Sequence, residues 1–168
     1  MINNTENTRN DILSLLAHNA KLSAGEIAVY LGLPEGDVLR EIAALEEERT
    51  ICGYGAFINW DRMEGEHLEA LIEVRVSPSR GQGFNRIAER IAGFDEVKAV
   101  YLMSGSYDLS VMVTGRSIKD VSLFVSDKLS PLESVLSTAT HFVLRKYKDY
   151  GVAFTERTDD DGRMIVSP

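Results

Sequence analysis

The chain is short of the residues on which most chemistry is built. Cys52 is the only cysteine among 168 residues, which excludes an internal disulfide and any cysteine-based zinc cluster. As a lone thiol it suits a small buried filler. His18, His67 and His141 are the only histidines, and they fall in separate segments. No nucleophile–base pair, phosphate-binding glycine loop or metal-ligand spacing appears, so no catalytic residue, metal or cofactor is assigned. No apolar run approaches 18 residues, which leaves no transmembrane helix and no membrane partner. The opening MINNTENTRND has no apolar signal region, so the expected location is cytoplasmic. Positive charge is scarce too. Against 26 acidic residues stand 18 Lys and Arg, a net charge of −8, which argues against non-specific binding to nucleic acid.

What is present is an ordinary core former. Hydrophobic content of 44% with 26% charged residues is that of a soluble protein able to bury one large domain or two small ones. From Thr8 to Glu48 the pattern predicts three short helices. Ile12, Leu15 and Leu16 form the first apolar stripe, broken by Asn19-Ala20-Lys21. Ser23 and Glu26 make a capping box for the second helix, whose buried face is Ile27, Ala28 and Leu31 and whose end is Gly32. Pro34 opens the third, with Val38, Ile42 and Leu45 inward and Glu35, Asp37, Arg40, Glu41 and Ala44 outward. Helix, short glycine-containing turn, helix is the helix-turn-helix pattern, whose second member lies in the major groove. The DNA-facing candidates are Lys21, Ser23, Glu35, Gly36, Asp37 and Arg40. Thr50–Asn59 is β-rich and suits a wing or a linking strand, and the polar run Trp60–Glu69 marks a domain boundary.

The second half reads β-α-β-β-α-β. Ala70, Ile72, Val74 and Val76 alternate as a half-buried strand, and Pro78–Gly83 is a loop. Phe84, Ile87, Ala88 and Ile91 follow the spacing of an amphipathic helix stopped at Gly93. Val97–Gly115, VKAVYLMSGSYDLSVMVTG, is strand, tight polar loop, strand. Ser117 and Asp120 then cap a helix carrying Ile118, Val121, Val125 and Leu129, ended by Pro131. Ser134–Tyr147 is a final long strand. The order is that of a ferredoxin-like domain, so the fold class is α+β: a winged helix-turn-helix over 1–58, a ferredoxin-like domain over 59–154, and an acidic, mobile tail over 155–168.

The loop Ser104–Asp108 offers backbone amides, a glycine, one aromatic ring and one carboxylate. These groups suit a small zwitterion, and they equally suit a plain turn capped by Asp108. The pieces LEEERTICGYGAFIN, VKAVYLMSGSYDLSVMV and LSTATHFVLRKYK, in that order, resemble the feast/famine regulators, the family of the leucine-responsive and asparagine-operon regulators. The resemblance spans about Arg9 to Phe154. It implies an N-terminal domain that binds double-stranded DNA, and a C-terminal domain that dimerises, assembles further, commonly to octamers, and binds an amino acid at contacts between such domains. Gly105 and Asp108, with Ser106 and Tyr107 between them, match the effector loop. Ser137, Thr138 and Thr140 match its hydroxyl-rich strand. Asp108 would accept from the ammonium, while amides around Gly105 and the hydroxyls would donate to the carboxylate.

The third helix departs from this family. Its usual outward cations are reduced to Arg40, and residues 1–58 hold four basic residues against nine acidic ones, a net −5. Phosphate neutralisation by Lys and Arg supplies much of DNA affinity, though a carboxylate can accept from cytosine N4. Two alternatives stay open. One is an amino-acid sensor or assembly protein whose winged helix no longer binds DNA. The other is an enzyme, since siroheme decarboxylases resemble this two-domain layout, but that chemistry needs convergent histidines or basic groups.

Overall fold

The computed structural model describes residues 2–77 and 83–154. The loop read over Pro78–Gly83, save its last residue, and the acidic tail over 155–168 lie outside the described residues. Two compact units divide the chain, one ending at Phe57 and the next beginning at Ile58.

The first unit is three helices, α1 (Ile2–His18), α2 (Ala24–Leu31) and α3 (Glu35–Glu47). α1 begins well before Thr8 because nothing in INNTENTR breaks a helix. Around α2 the local signals act as written. The Ser23 hydroxyl accepts from Glu26 N–H at 3.2 Å while the Glu26 carboxylate accepts from Ser23 N–H at 2.8 Å. Gly32 stands at φ 65°, a left-handed position that a β-carbon disfavours, and its N–H bonds back to the Ala28 carbonyl. Ile12, Leu16, Ile27, Ala28, Val38 and Leu45 form the buried centre.

Three expectations fail here. Glu41 does not point outward: it accepts from Arg9 Nε of α1 and is half-buried. Cys52 is exposed, its thiol donating to the Arg49 carbonyl at 3.1 Å. Thr50–Asn59 carries no strand, since a strand exists through its ladder and the helical unit offers no strand for it to pair with.

The second unit is a four-stranded antiparallel sheet in the order β2-β3-β1-β4, from β1 (Leu68–Val76), β2 (Val97–Leu102), β3 (Leu109–Gly115) and β4 (Val135–Phe142). It is backed by α4 (Asn85–Ala92) and α5 (Ile118–Leu123). The inward row Ala70, Ile72, Val74 and Val76 of β1 is fully covered. It meets Leu109, Val111 and Val113 of β3 and Ile87 and Ile91 of α4, as the period-two pattern requires.

α5 passes into a π-helical turn over Phe124–Leu129, and this changes which side chains face the sheet. Ile118, expected inside, is 60% exposed, whereas Val121, Phe124 and Leu129 are buried. The wider turn lets Phe124 and Leu129, five residues apart, share one face. β4 ends at Phe142 instead of running to Tyr147, and a two-residue hairpin follows, β5 (Lys148–Asp149) and β6 (Val152–Ala153). Tyr150 and Gly151 take φ of 43° and 83°, the double positive φ of a type I′ turn. Lys146 fastens this segment to β1 through Glu69 at 2.9 Å and Asp149 at 3.2 Å. Burial disfavours its charge, but hydrogen bonds to both carboxylates hold its pKa above the ordinary lysine value. No helix among the described residues is long and apolar enough to cross a membrane.

Candidate functional site

The loop between β2 and β3 is closed by Met103 N–H donating to the Asp108 carbonyl at 2.8 Å. Four residues, Ser104 to Tyr107, therefore form its tip. Asp108 anchors it to β1 twice: its N–H donates to the Val74 carbonyl at 3.1 Å, and its carboxylate Oδ2 accepts from Val76 N–H at 2.8 Å. The second bond falls at the bulge where the β1–β4 register shifts between Arg75 and Val76. A side-chain oxygen thus replaces the ladder carbonyl that β3 no longer supplies past Leu109. Gly105 and Ser106 are exposed, while Tyr107 and Asp108 are half-buried.

β4 flanks the same end of β1. Thr138 is in register with Val74, whose other neighbour is Leu109, next to Asp108. Thr140 lies one step further from the loop, opposite Ile72. Both therefore share the helix-covered face. Ser137 is in register with Arg75 and lies on the opposite face. The structure brings Gly105–Asp108 to the end of the sheet where Thr138 sits, and it separates Ser137 from both threonines.

On the helical unit, the residues proposed to face DNA are differently occupied. Lys21 is exposed. The Ser23 hydroxyl is held within the capping box. Glu35 lies over Gly25 of α2, where a β-carbon would stand 3.3 Å from Oε1. Gly36 has nothing within 4 Å of such a carbon. Arg40 folds along its own helix, Nη2 bonding to Asp37 and Nε to the Gly36 carbonyl at 3.3 Å. Sequence reasoning passed over Leu39, a large apolar side chain 54% exposed. Its signal was available, because position 39 falls outside the inward spacing of Val38, Ile42 and Leu45.

Two of the histidines belong to the second unit, and each has its own neighbour. His67 stacks on Trp60 at 4.9 Å, and His141 stands on the outer sheet face 3.5 Å from Glu73. Among the described residues no group of three His, Cys, Asp or Glu is placed to hold a metal ion.

Residues 69–153 match the model of the Lrp/AsnC ligand-binding domain. The chain is 50% identical over 159 residues to the uncharacterized HTH-type transcriptional regulator YugG of Bacillus subtilis, covering 94% of this chain and 95% of that one. It shares its fold with Escherichia coli AsnC at 20% identity and TM-score 0.62, covering 83% and 92% of the two chains. A Neisseria meningitidis transcriptional regulator, solved as an L-Met complex, matches at 23% identity and TM-score 0.67 over 84% and 91%. With a helix-turn-helix ahead of the matched ligand-binding domain, the chain belongs to the Lrp/AsnC family of transcriptional regulators.

Proposed function

We propose that this regulator binds double-stranded DNA through residues 1–58 and answers to a free amino acid at the Gly105–Asp108 loop of the 59–154 domain. It works in the cytoplasm as a homodimer that assembles further, as to an octamer, and has no catalytic activity. The observation that carries the effector reading is how the loop is built. Asp108 is anchored by one backbone donor, and a carboxylate has about four acceptor sites, so capacity for an ammonium remains. Gly105 sits outside the left-handed region and a β-carbon there meets nothing within 4 Å. The turn itself does not require glycine, and what the missing β-carbon gives is close approach to the backbone amides. Exposed Leu102 and Met103 adjoin the loop and favour a medium-sized apolar or thioether side chain. The L-Met bound to the Neisseria regulator is of that kind.

Calorimetry with the twenty amino acids on wild type and Gly105→Ala tests the reading. The expected result is one class of binder, weakened in the variant while the fold is unchanged. A binder indifferent to Gly105→Ala places the site elsewhere, and no binder at all removes the amino-acid reading. A second reading, a sensor that has given up DNA, is favoured by one observation: the only cation of α3 is paired to Asp37 on its own helix. Duplex binding by the full chain decides between the two.

A further inference from the structure

Four of the five acidic residues of α3, and Glu48 just past its end, have neighbours of their own, while Glu47 is exposed. Glu41 and Glu48 both bind Arg9 of α1. Glu46 accepts from the Tyr54 hydroxyl at 2.8 Å. Glu35 leans over Gly25 of α2, and Asp37 is neutralised by Arg40. Leu39 and Arg40 lie three and four residues after Gly36, and Ala43 lies four and three residues after them; all are exposed and share a face, which Glu47 continues one turn on. Gly36 and Ala43 contribute almost no bulk. Leu39 therefore stands out from a strip along which the charge of Arg40 is folded back on its own helix.

We infer that Leu39 is a specificity-determining residue that reads thymine methyl groups in the major groove. This rests on the DNA-binding reading proposed above. In the major groove only thymine presents a methyl group, and an apolar side chain is its natural partner. The low bulk of Gly36 and Ala43 lets the helix come close enough for a side chain of leucine length to reach a base edge. The unit's net charge sharpens the argument. With four cations against nine acids in residues 1–58, phosphate contacts supply little of the binding, and apolar contact with bases carries a correspondingly larger share of the discrimination. Leu39 itself is more than half exposed, so the free protein leaves uncovered a surface that such a contact would bury.

The test uses the full chain. Duplexes are selected from a randomised pool, and the selected sequence is then made with thymine or with deoxyuridine, which differs only by the methyl. Affinities of both are measured for wild type and Leu39→Ala. The expected result is a loss of about fourfold per half-site on removing the methyl for wild type, the size of burying one methyl-sized group. Leu39→Ala should bind the two duplexes equally. Equal binding of both duplexes by wild type overturns the inference while leaving DNA binding intact. So does a Leu39→Ala protein that keeps the full preference for thymine. Failure to select any duplex overturns the DNA-binding reading and this inference with it. Alanine is a strong helix former at an exposed position, and an unchanged circular dichroism melt verifies that the variant is folded.

Discussion

The carboxylate of Asp108 accepts the backbone N–H of Val76 at 2.8 Å, tying the tip of one hairpin to a strand thirty-two residues earlier. One side chain thus serves the fold and, in the proposed function, the ligand. The two roles separate by substitution. Asp108→Ala leaves the Val76 N–H without its partner, and an unsatisfied, partly buried donor costs about 1–3 kcal/mol. Asp108→Asn keeps an acceptor for Val76 and removes only the charge. We expect Asp108→Asn to melt close to wild type and to lose effector affinity about ten- to a hundredfold. Thermal melts paired with calorimetry check both halves.

Arg9 holds Glu41 of α3 and Glu48 just past its end at once, and both hydrogen bonds keep its guanidinium charged. Arg9→Gln should lower the melting temperature of the helical unit and also weaken DNA binding, because two released carboxylates would face the phosphates. A melt unchanged from wild type, or unaltered duplex affinity, would count against this arrangement.

How much of this was legible depended on how far apart the interacting residues are. Ser23 with Glu26, and Gly32 after Leu31, are local instructions, and the structure follows them. The inward row from Ala70 to Val76 was legible from period alone. Glu41 was placed outward because its partner lies thirty-two residues away on another helix. Thr50–Asn59 has strand-like composition, but composition cannot supply a neighbouring strand. The β5–β6 hairpin went unread because Tyr150 is an unusual occupant of a left-handed turn position. At the loop, residue types were readable, whereas Asp108's bond to Val76 and the opposite facing of Ser137 and Thr138 needed the sheet register.

Glu96 is held by Lys128, and its second oxygen, Oε2, is buried without a hydrogen-bond partner among the described residues. The Lys128 hydrogen bond holds the Glu96 carboxyl below the ordinary carboxylate range, against the opposing effect of burial. A depressed pKa in the folded state contributes stability that is present above the unfolded value and is lost as pH falls through the folded one. Lys128→Met should therefore destabilise the domain near neutrality, with the difference from wild type shrinking below about pH 4. Urea titrations across that range should show the two proteins converging in acid. A difference independent of pH would assign the loss to packing against Phe94, over whose ring the Lys128 ammonium lies at 5.9 Å.

The outer face of the sheet carries the last prediction. Register places Ala99, Met112, Leu71 and His141 in one row across four strands, and Tyr101, Ser110, Glu73 and Ala139 in the next. The helices cover the opposite face; on this one the Tyr150 hydroxyl of the C-terminal hairpin meets that of Tyr101 at 3.1 Å, and Leu71 and Met112 remain half-buried. Contiguous apolar groups of that kind on a sheet face are characteristic of association surfaces. A charge at Met112 would stand beside its neighbours Leu71 and Ala99 and would be desolvated by any partner sheet. It would leave the helix-side core of Ile72, Val111 and Val113 untouched. Wild type should scatter light as a dimer or larger at micromolar concentration. Met112→Glu should shift toward the monomer mass with little change in circular dichroism. A wild-type monomer, or a variant that assembles as wild type does, would mean that copies of this chain do not meet through this face.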